Sequence, residues 1–314
     1  MDLERIAVVG CGGVGGYYGG KLCQLLPDQG LRLSMIARGR HLAAIQSQGL
    51  ILNTENEGRL RCQPSEVTDS VESLRAQDVI LLCVKEFDLD HVLKRLRSAI
   101  QANTVILPLL NGVDIYERIR RRIDQGIVLP ACVYVGTHIE APGIVTQKGG
   151  ACKILYGPDP SRPEFDPTPL IELFDRARIL AQWTPTVQSA IWEKFLFICS
   201  FGLVTAAYGR VIGEVMEDDV LSGRVRAIMQ EILSVADHLR VSLAPGIEGV
   251  AFEKATTFPY ETKTSFQRDF EQAVKPDERA LFAGSMLDYG KRFGIELPAI
   301  TKVAQLLDNK KPLK

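Results

Sequence analysis

Residues 10–15 read Gly10-Cys11-Gly12-Gly13-Val14-Gly15, with glycine at the first, third and sixth positions. That spacing suits a turn that must bend sharply and lie close to a pyrophosphate. Gly10 permits the tight turn, Gly12 lets the backbone approach the phosphates, and Gly15 lets the next helix pack on the strand before it. A helix starting there aims unpaired N–H groups and the positive end of its dipole at the anion. Gly10, Cys11, Gly12, Gly13, Val14 and Gly15 are therefore candidate cofactor-binding residues. A glycine turn that binds nothing is the bland alternative, and the flanking strand and helix weigh against it. Which dinucleotide binds is read at the end of the second strand, where an NAD-specific fold places an acid on the ribose 2′-hydroxyl. No acid occurs between Asp28 and Glu55, and Arg38 stands where that strand should end, with Arg40 and His41 nearby. A guanidinium there pairs with a 2′-phosphate, so the expected cofactor is NADP(H). A solvated surface residue is the competing reading of Arg38 and the better one for Arg40.

The elements that must position these residues follow from hydrophobic periodicity and turn signals. A β-branched strand over 5–9 precedes the glycines, and a helix over 17–26, ended by Pro27, follows them. A strand over 31–36 leads to a helix over 42–48 closed by Gly49. An apolar strand over 79–84, a helix over 89–100 and a strand over 104–107 continue the alternation, which predicts a parallel, doubly wound sheet. From 126 to 156 short strand-like runs broken by Pro142-Gly143 and Gly149-Gly150 predict an antiparallel extension of that sheet. After a proline-rich and acidic connector over 158–169, a helix over 170–180 and a last strand over 183–187 complete the first half. Beyond Gln188 the chain reads as helices. The expected class is thus α/β, a Rossmann-type nucleotide-binding domain over 1–187 and an all-helical substrate and catalytic domain over 188–314.

Composition narrows the function classes. A chain of 314 residues has room for two domains, and 46% hydrophobic with 24% charged residues is the balance of a globular protein. Lys and Arg number 37 against 38 Asp and Glu, and the net charge of -1 offers no field for a nucleic acid partner. The seven cysteines are scattered with no C-x-x-C pair, so they are expected to be reduced thiols in a cytoplasmic protein. His41, His91, His138 and His238 lack ligand spacing, and no metal is expected. The chain opens Met1-Asp2-Leu3-Glu4 and enters a strand at once, unlike a signal peptide. The most membrane-like run, 195–208, is roughly four helical turns, short of a hydrocarbon layer of roughly 30 Å, so it is expected to be a core helix and no membrane partner is expected.

The motifs as a set resemble the ketopantoate reductase family, over nearly the whole chain. They are residues 10–16, Ile36-Ala37-Arg38-Gly39, Cys83-Val84-Lys85, Leu110-Asn111-Gly112, Trp192-Glu193-Lys194, Lys263-Thr264-Ser265 with Asp269, and Lys275-Pro276-Asp277-Glu278. The resemblance implies NADPH-dependent reduction of 2-dehydropantoate, a small 2-keto acid, to (R)-pantoate, a step toward pantothenate and coenzyme A. It implies that Lys194 is the general acid that protonates the ketone oxygen. An ammonium suits this role, because its charge stabilises the developing alkoxide. Glu278 matches a carboxylate accepting a hydrogen bond from the substrate hydroxyl, although a one-residue shift would exchange it with Asp277. Asn111 matches an asparagine touching cofactor and substrate, Lys85 a cofactor-binding lysine, and Ser265 a serine that binds the substrate carboxylate.

Each of these has a bland alternative: surface charge for Lys194, helix capping for Asp277, Glu278 and Ser265, and a simple turn for Asn111-Gly112. The chain departs from the family pattern at Ile198 and Gly202, four and eight residues after Lys194, where many members carry asparagines. Losing those amides removes hydrogen-bonding capacity and is expected to widen the pocket, leaving a different 2-keto acid as an alternative substrate. A nucleotide-binding protein without catalysis is the reading from another class. The apolar segment 281–287 suits either a homodimer contact or the core.

Overall fold

A computed structural model describes residues 3–26, 30–272 and 276–310. Pro27, expected to end the first helix, and Lys275 of the Lys-Pro-Asp-Glu motif lie outside the described residues. The chain divides into two compact units, Met1–Asn111 with Ile115–Val187, and Gly112–Asp114 with Gln188–Lys314.

The first unit opens with β1 (Arg5–Val9), α1 (Gly13–Cys23), β2 (Arg32–Ile36) and α2 (Gly39–Gln48). β3 (Leu50–Thr54), β4 (Gly58–Cys62) and β5 (Glu66–Thr68) follow, then β6 (Val79–Leu82), α3 (Glu86–Leu96), β7 (Val105–Pro108), α4 (Ile115–Arg120) and β8 (Ile127–Val128). A six-stranded sheet runs in the order β5-β2-β1-β6-β7-β8 with every pair parallel. Its central strands are buried on both faces, Ile6 to Val9 and Val79 to Leu82 each at 0% exposure, which is why they read as unbroken apolar runs. α1 starts at Gly13, four residues earlier than its apolar pattern suggests. Its glycines serve packing rather than helix propensity: a Cβ at Gly16 would lie 2.6 Å from Val145 Cγ2, and one at Gly19 2.4 Å from Met35 Cε.

The remaining elements of this unit are β9 (Ala131–Tyr134), β10 (Thr137–Ala141), β11 (Ile144–Gln147), β12 (Lys153–Tyr156), α5 (Thr168–Arg176) and β13 (Leu180–Trp183). The antiparallel pairing expected over 126–156 is present as β10–β11 and β9–β12, but it builds two further small sheets, β10-β11-β3-β4 and β13-β12-β9. The first depends on β3, which pairs antiparallel with β4 and parallel with the distant β11.

The second unit is helical: α6 (Val187–Tyr208), α7 (Ile212–Glu217), α8 (Asp219–His238), α9 (Ile247–Thr256), α10 (Ser265–Glu271), α11 (Ser285–Phe293) and α12 (Pro298–Lys310). Asp218 caps α8 by accepting from the N–H groups of Val220 (2.8 Å) and Leu221 (3.0 Å). The Glu231 carboxylate accepts from Ala299 N–H (2.6 Å) and Ile300 N–H (2.9 Å), tying α8 to the start of α12. α6 corrects the length estimate made for 195–208. It runs 22 residues, long and apolar enough by composition to span a bilayer, yet 78% of its most apolar window is buried within the protein. Burial, not shortness, makes it a core helix. Leu281, Phe282, Ala283 and Met286 are likewise buried at 0–3%, so the segment left open as a dimer contact packs inside.

Candidate active site

In the first unit the sheet order places four loops along one edge. The strands β2, β1, β6 and β7 are consecutive neighbours, and all run parallel. Beyond their carboxyl ends stand, in that order, Arg38, the glycine turn, Lys85 and Asn111. This is the edge at which open α/β sheets bind ligands.

The turn itself fits a dinucleotide. Gly10 has φ +99, and a Cβ there would fall 2.9 Å from the carbonyl of Cys83 and from Val84 N. A Cβ at Gly15 would lie 2.2 Å from Gly10 O, so helix and strand approach too closely for any side chain. Gly12 differs: among the described residues no atom lies within 4 Å of its would-be Cβ, so the backbone is open there. Gly12 is also the N-cap of α1, with no side-chain cap and no acid in the first turn, which leaves the helix terminus to an outside anion. Gly13 and Val14 form the first turn of α1. Cys11 sits in the turn but commits its N–H to Ile36 O at 2.7 Å and turns its thiol into the core. Burial pushes that thiol up to about 12, with Cys62 nearby adding to the effect. His41 accepts Gly143 N–H at its Nδ1 (3.0 Å), so the neutral ring carries its proton on Nε2, 3.8 Å from Cys11 Sγ. Burial holds His41 below its ordinary value, against an opposing hydrogen bond involving Cys11.

Arg38 is exposed and is the N-cap of α2; Arg40 is exposed as well. The Arg38 Nη1 donates to both carboxylate oxygens of Asp88, at 3.3 and 3.2 Å. Asp88, in the first turn of α3, was not picked out by sequence reasoning, which sought an acid near the end of β2. Its position three residues after Lys85 was the available signal. Lys85 is exposed at the N-cap of α3, and half-buried Asn111 precedes Gly112, whose φ of +116 makes the turn.

In the second unit one aromatic cluster gathers the segments that carry Lys194, Ser265 and Glu278. Lys194 is half-buried in α6, beside Phe195. Phe195 stacks on Phe282 at 6.0 Å between centroids, and Phe282 packs on Phe266 at 5.0 Å. Phe282 follows Glu278 by one turn, and its N–H bonds to the Glu278 carbonyl at 3.2 Å. Ser265, next to Phe266, is the exposed first residue of α10, and it is Thr264 that caps the helix by accepting Gln267 N–H at 3.1 Å. Glu278 is 3% exposed and leads into a π-helical turn, Ala280–Gly284, of a kind frequent at functional sites. A Cβ at Gly202 would meet Phe266 Cβ at 3.4 Å and Cδ1 at 3.7 Å, ordinary contact distances, so this position faces the Phe266 side chain.

The family models of "Ketopantoate reductase PanE/ApbA" and of its C-terminal domain match residues 6–160 and 186–311. The chain belongs to the ketopantoate reductase family. The 2-dehydropantoate 2-reductase of Mesorhizobium japonicum is 26% identical over 323 residues, 96% of each chain. The PanE/ApbA family ketopantoate reductase of Ralstonia eutropha JMP134 superimposes with a TM-score of 0.87 at 25% identity, over 98% of this chain and 99% of that one. The 2-dehydropantoate 2-reductase of Porphyromonas gingivalis W83 gives 0.82 at 27% identity over the same shares. Membership makes this protein an oxidoreductase that acts on a keto group with a nicotinamide cofactor.

Proposed function

We infer that the protein reduces 2-dehydropantoate to (R)-pantoate with NADPH, in the cytosol. The observation that carries the reading is the order Arg38, glycine turn, Lys85, Asn111 along the sheet edge. This is the sequence of contacts a dinucleotide needs from its adenosine ribose through its pyrophosphate toward its nicotinamide. Gly12 and the uncapped start of α1 hold the pyrophosphate, and Arg38 pairs with the 2′-phosphate. When bound, the nicotinamide supplies the hydride to the ketone carbon. Lys194 Nζ gives a proton to the ketone oxygen and recovers one from water, Glu278 accepts a hydrogen bond from the resulting hydroxyl, and Ser265 holds the carboxylate. Seven free cysteines accord with a reducing compartment.

Following NADPH oxidation with 2-dehydropantoate, against a Lys194→Ala control, tests the reading. Turnover that depends on Lys194 is expected, and turnover no higher than the control's removes it. A second reading, the same reaction on another small 2-keto acid, rests on Ile198 and Gly202, which offer no amide where many family members carry asparagines. Ranking a panel of keto acids by kcat/KM decides between them.

A further inference from the structure

We propose that Asp88 is a specificity-determining residue for the cofactor, narrowing the preference for NADPH over NADH by occupying the Arg38 guanidinium. The inference rests on the reading above, in which a dinucleotide lies over the glycine turn. The geometry starts from the strand order. β2 and β6 flank β1 on either side, Arg38 lies just beyond β2, and Asp88 lies in the helix that follows β6. Their ion pair, with both carboxylate oxygens within 3.3 Å of one guanidinium nitrogen, bridges the segments that leave the strands on both sides of the glycine turn. The partners are 50 residues apart in sequence, and the side chains are 54% and 33% exposed, so the pair stands in reach of a ligand rather than in the core.

An exposed pair of this kind adds little to stability. Its consequence is for an incoming anion. A 2′-phosphate brings about two negative charges to the place where Asp88 already holds one, so it must share Arg38 with a carboxylate that repels it. The 2′-hydroxyl of NADH meets the opposite situation. A carboxylate that accepts the ribose hydroxyl is the usual mark of NAD recognition, and here α3 supplies one where the end of β2 does not.

Calorimetric titration of the full-length chain tests this without turnover. The ligands are NADPH, NADH and their adenosine fragments 2′,5′-ADP and 5′-AMP; the proteins are wild type, Asp88→Asn and Arg38→Ala. Asp88→Asn should tighten NADPH and 2′,5′-ADP about tenfold, as expected for removing one charge near two across a water-like medium, while NADH and 5′-AMP stay level or weaken. Arg38→Ala should weaken the two 2′-phosphorylated ligands selectively. If Asp88→Asn leaves the NADPH to NADH ratio of Kd unmoved while both still bind, the inference falls and the reading of the site stands. If neither dinucleotide binds the wild-type chain, the reading of the site falls and takes the inference with it.

Discussion

Arg279 donates from Nε to Asp277 Oδ1 and from Nη2 to Asp277 Oδ2, each at 2.9 Å, and its backbone N–H bonds to Oδ1 at 3.1 Å. Both residues are buried, at 5% and 6% exposure. Asp277 is thereby committed to the fold by a bidentate pair, and Glu278 is the acid that the proposed function places on the substrate. The two should respond differently to substitution. Asp277→Ala leaves a buried guanidinium with only Asp308 and the face of the Phe270 ring among the described residues, and it is expected to cost roughly 3–5 kcal/mol of stability, read in a denaturant titration. Glu278→Gln should keep the unfolding midpoint while lowering kcat/KM. The reverse pattern would exchange their roles.

Lys194 is the residue on which the proposed chemistry depends most. Lys194→Ala should lower kcat by roughly 10²–10⁴, the usual range for a lost general acid, with dinucleotide affinity retained. A kcat equal to that of wild type, at saturating substrate, would assign the proton to another group.

Two glycines of the turn separate fold from function. Gly15→Ala places a Cβ 2.2 Å from a backbone oxygen, so the helix must shift, and loss of thermal stability is expected together with loss of cofactor. Gly12→Ala meets no described atom within 4 Å, so the melting temperature should hold while NADPH affinity drops. Unchanged affinity in that variant would take the pyrophosphate off the turn.

Asp159, fully buried, gives a prediction in pH. Burial alone would raise its carboxyl, but hydrogen bonds from Ser161, Tyr116 and Val128 outweigh burial and hold it below its ordinary 3.8. Arg120 pairs with it as well. A folded value below the unfolded one means that the unfolded chain takes up the proton first. The stabilisation is therefore present above about pH 4 and is lost as pH falls through the folded value. Asp159→Asn should be less stable than wild type near neutrality, and urea midpoints should show the gap narrowing as pH falls below about 4. A gap of constant width would mean that the carboxylate's charge contributes nothing.

Local chemistry made much of this protein legible from its sequence. The runs at 6–9 and 79–82 are apolar without alternation because their strands are covered on both faces, and Gly49 closes α2 with φ +78 as a helix stop should. The glycine spacing depends on near neighbours, so reading along the chain found it, whereas Lys194 and Glu278 stand out only through the resemblance to the family. What only the tertiary structure decided involves partners far apart in sequence. β3 pairs not only with the adjacent β4 but also with β11 about ninety residues on, and its sequence gives no clear strand signal because three of its five residues stay partly exposed. α1 could be glycine-rich and still helical because Val145 and Met35 sit where side chains would go. Asp88 reaches Arg38 from across the glycine turn, Asp277 is claimed by Arg279, and Phe266 packs beside Gly202. Sequence sets which groups a segment can offer; packing sets which of them are already taken, because a hydrogen bond or a filled contact belongs to two residues and only the fold chooses the second.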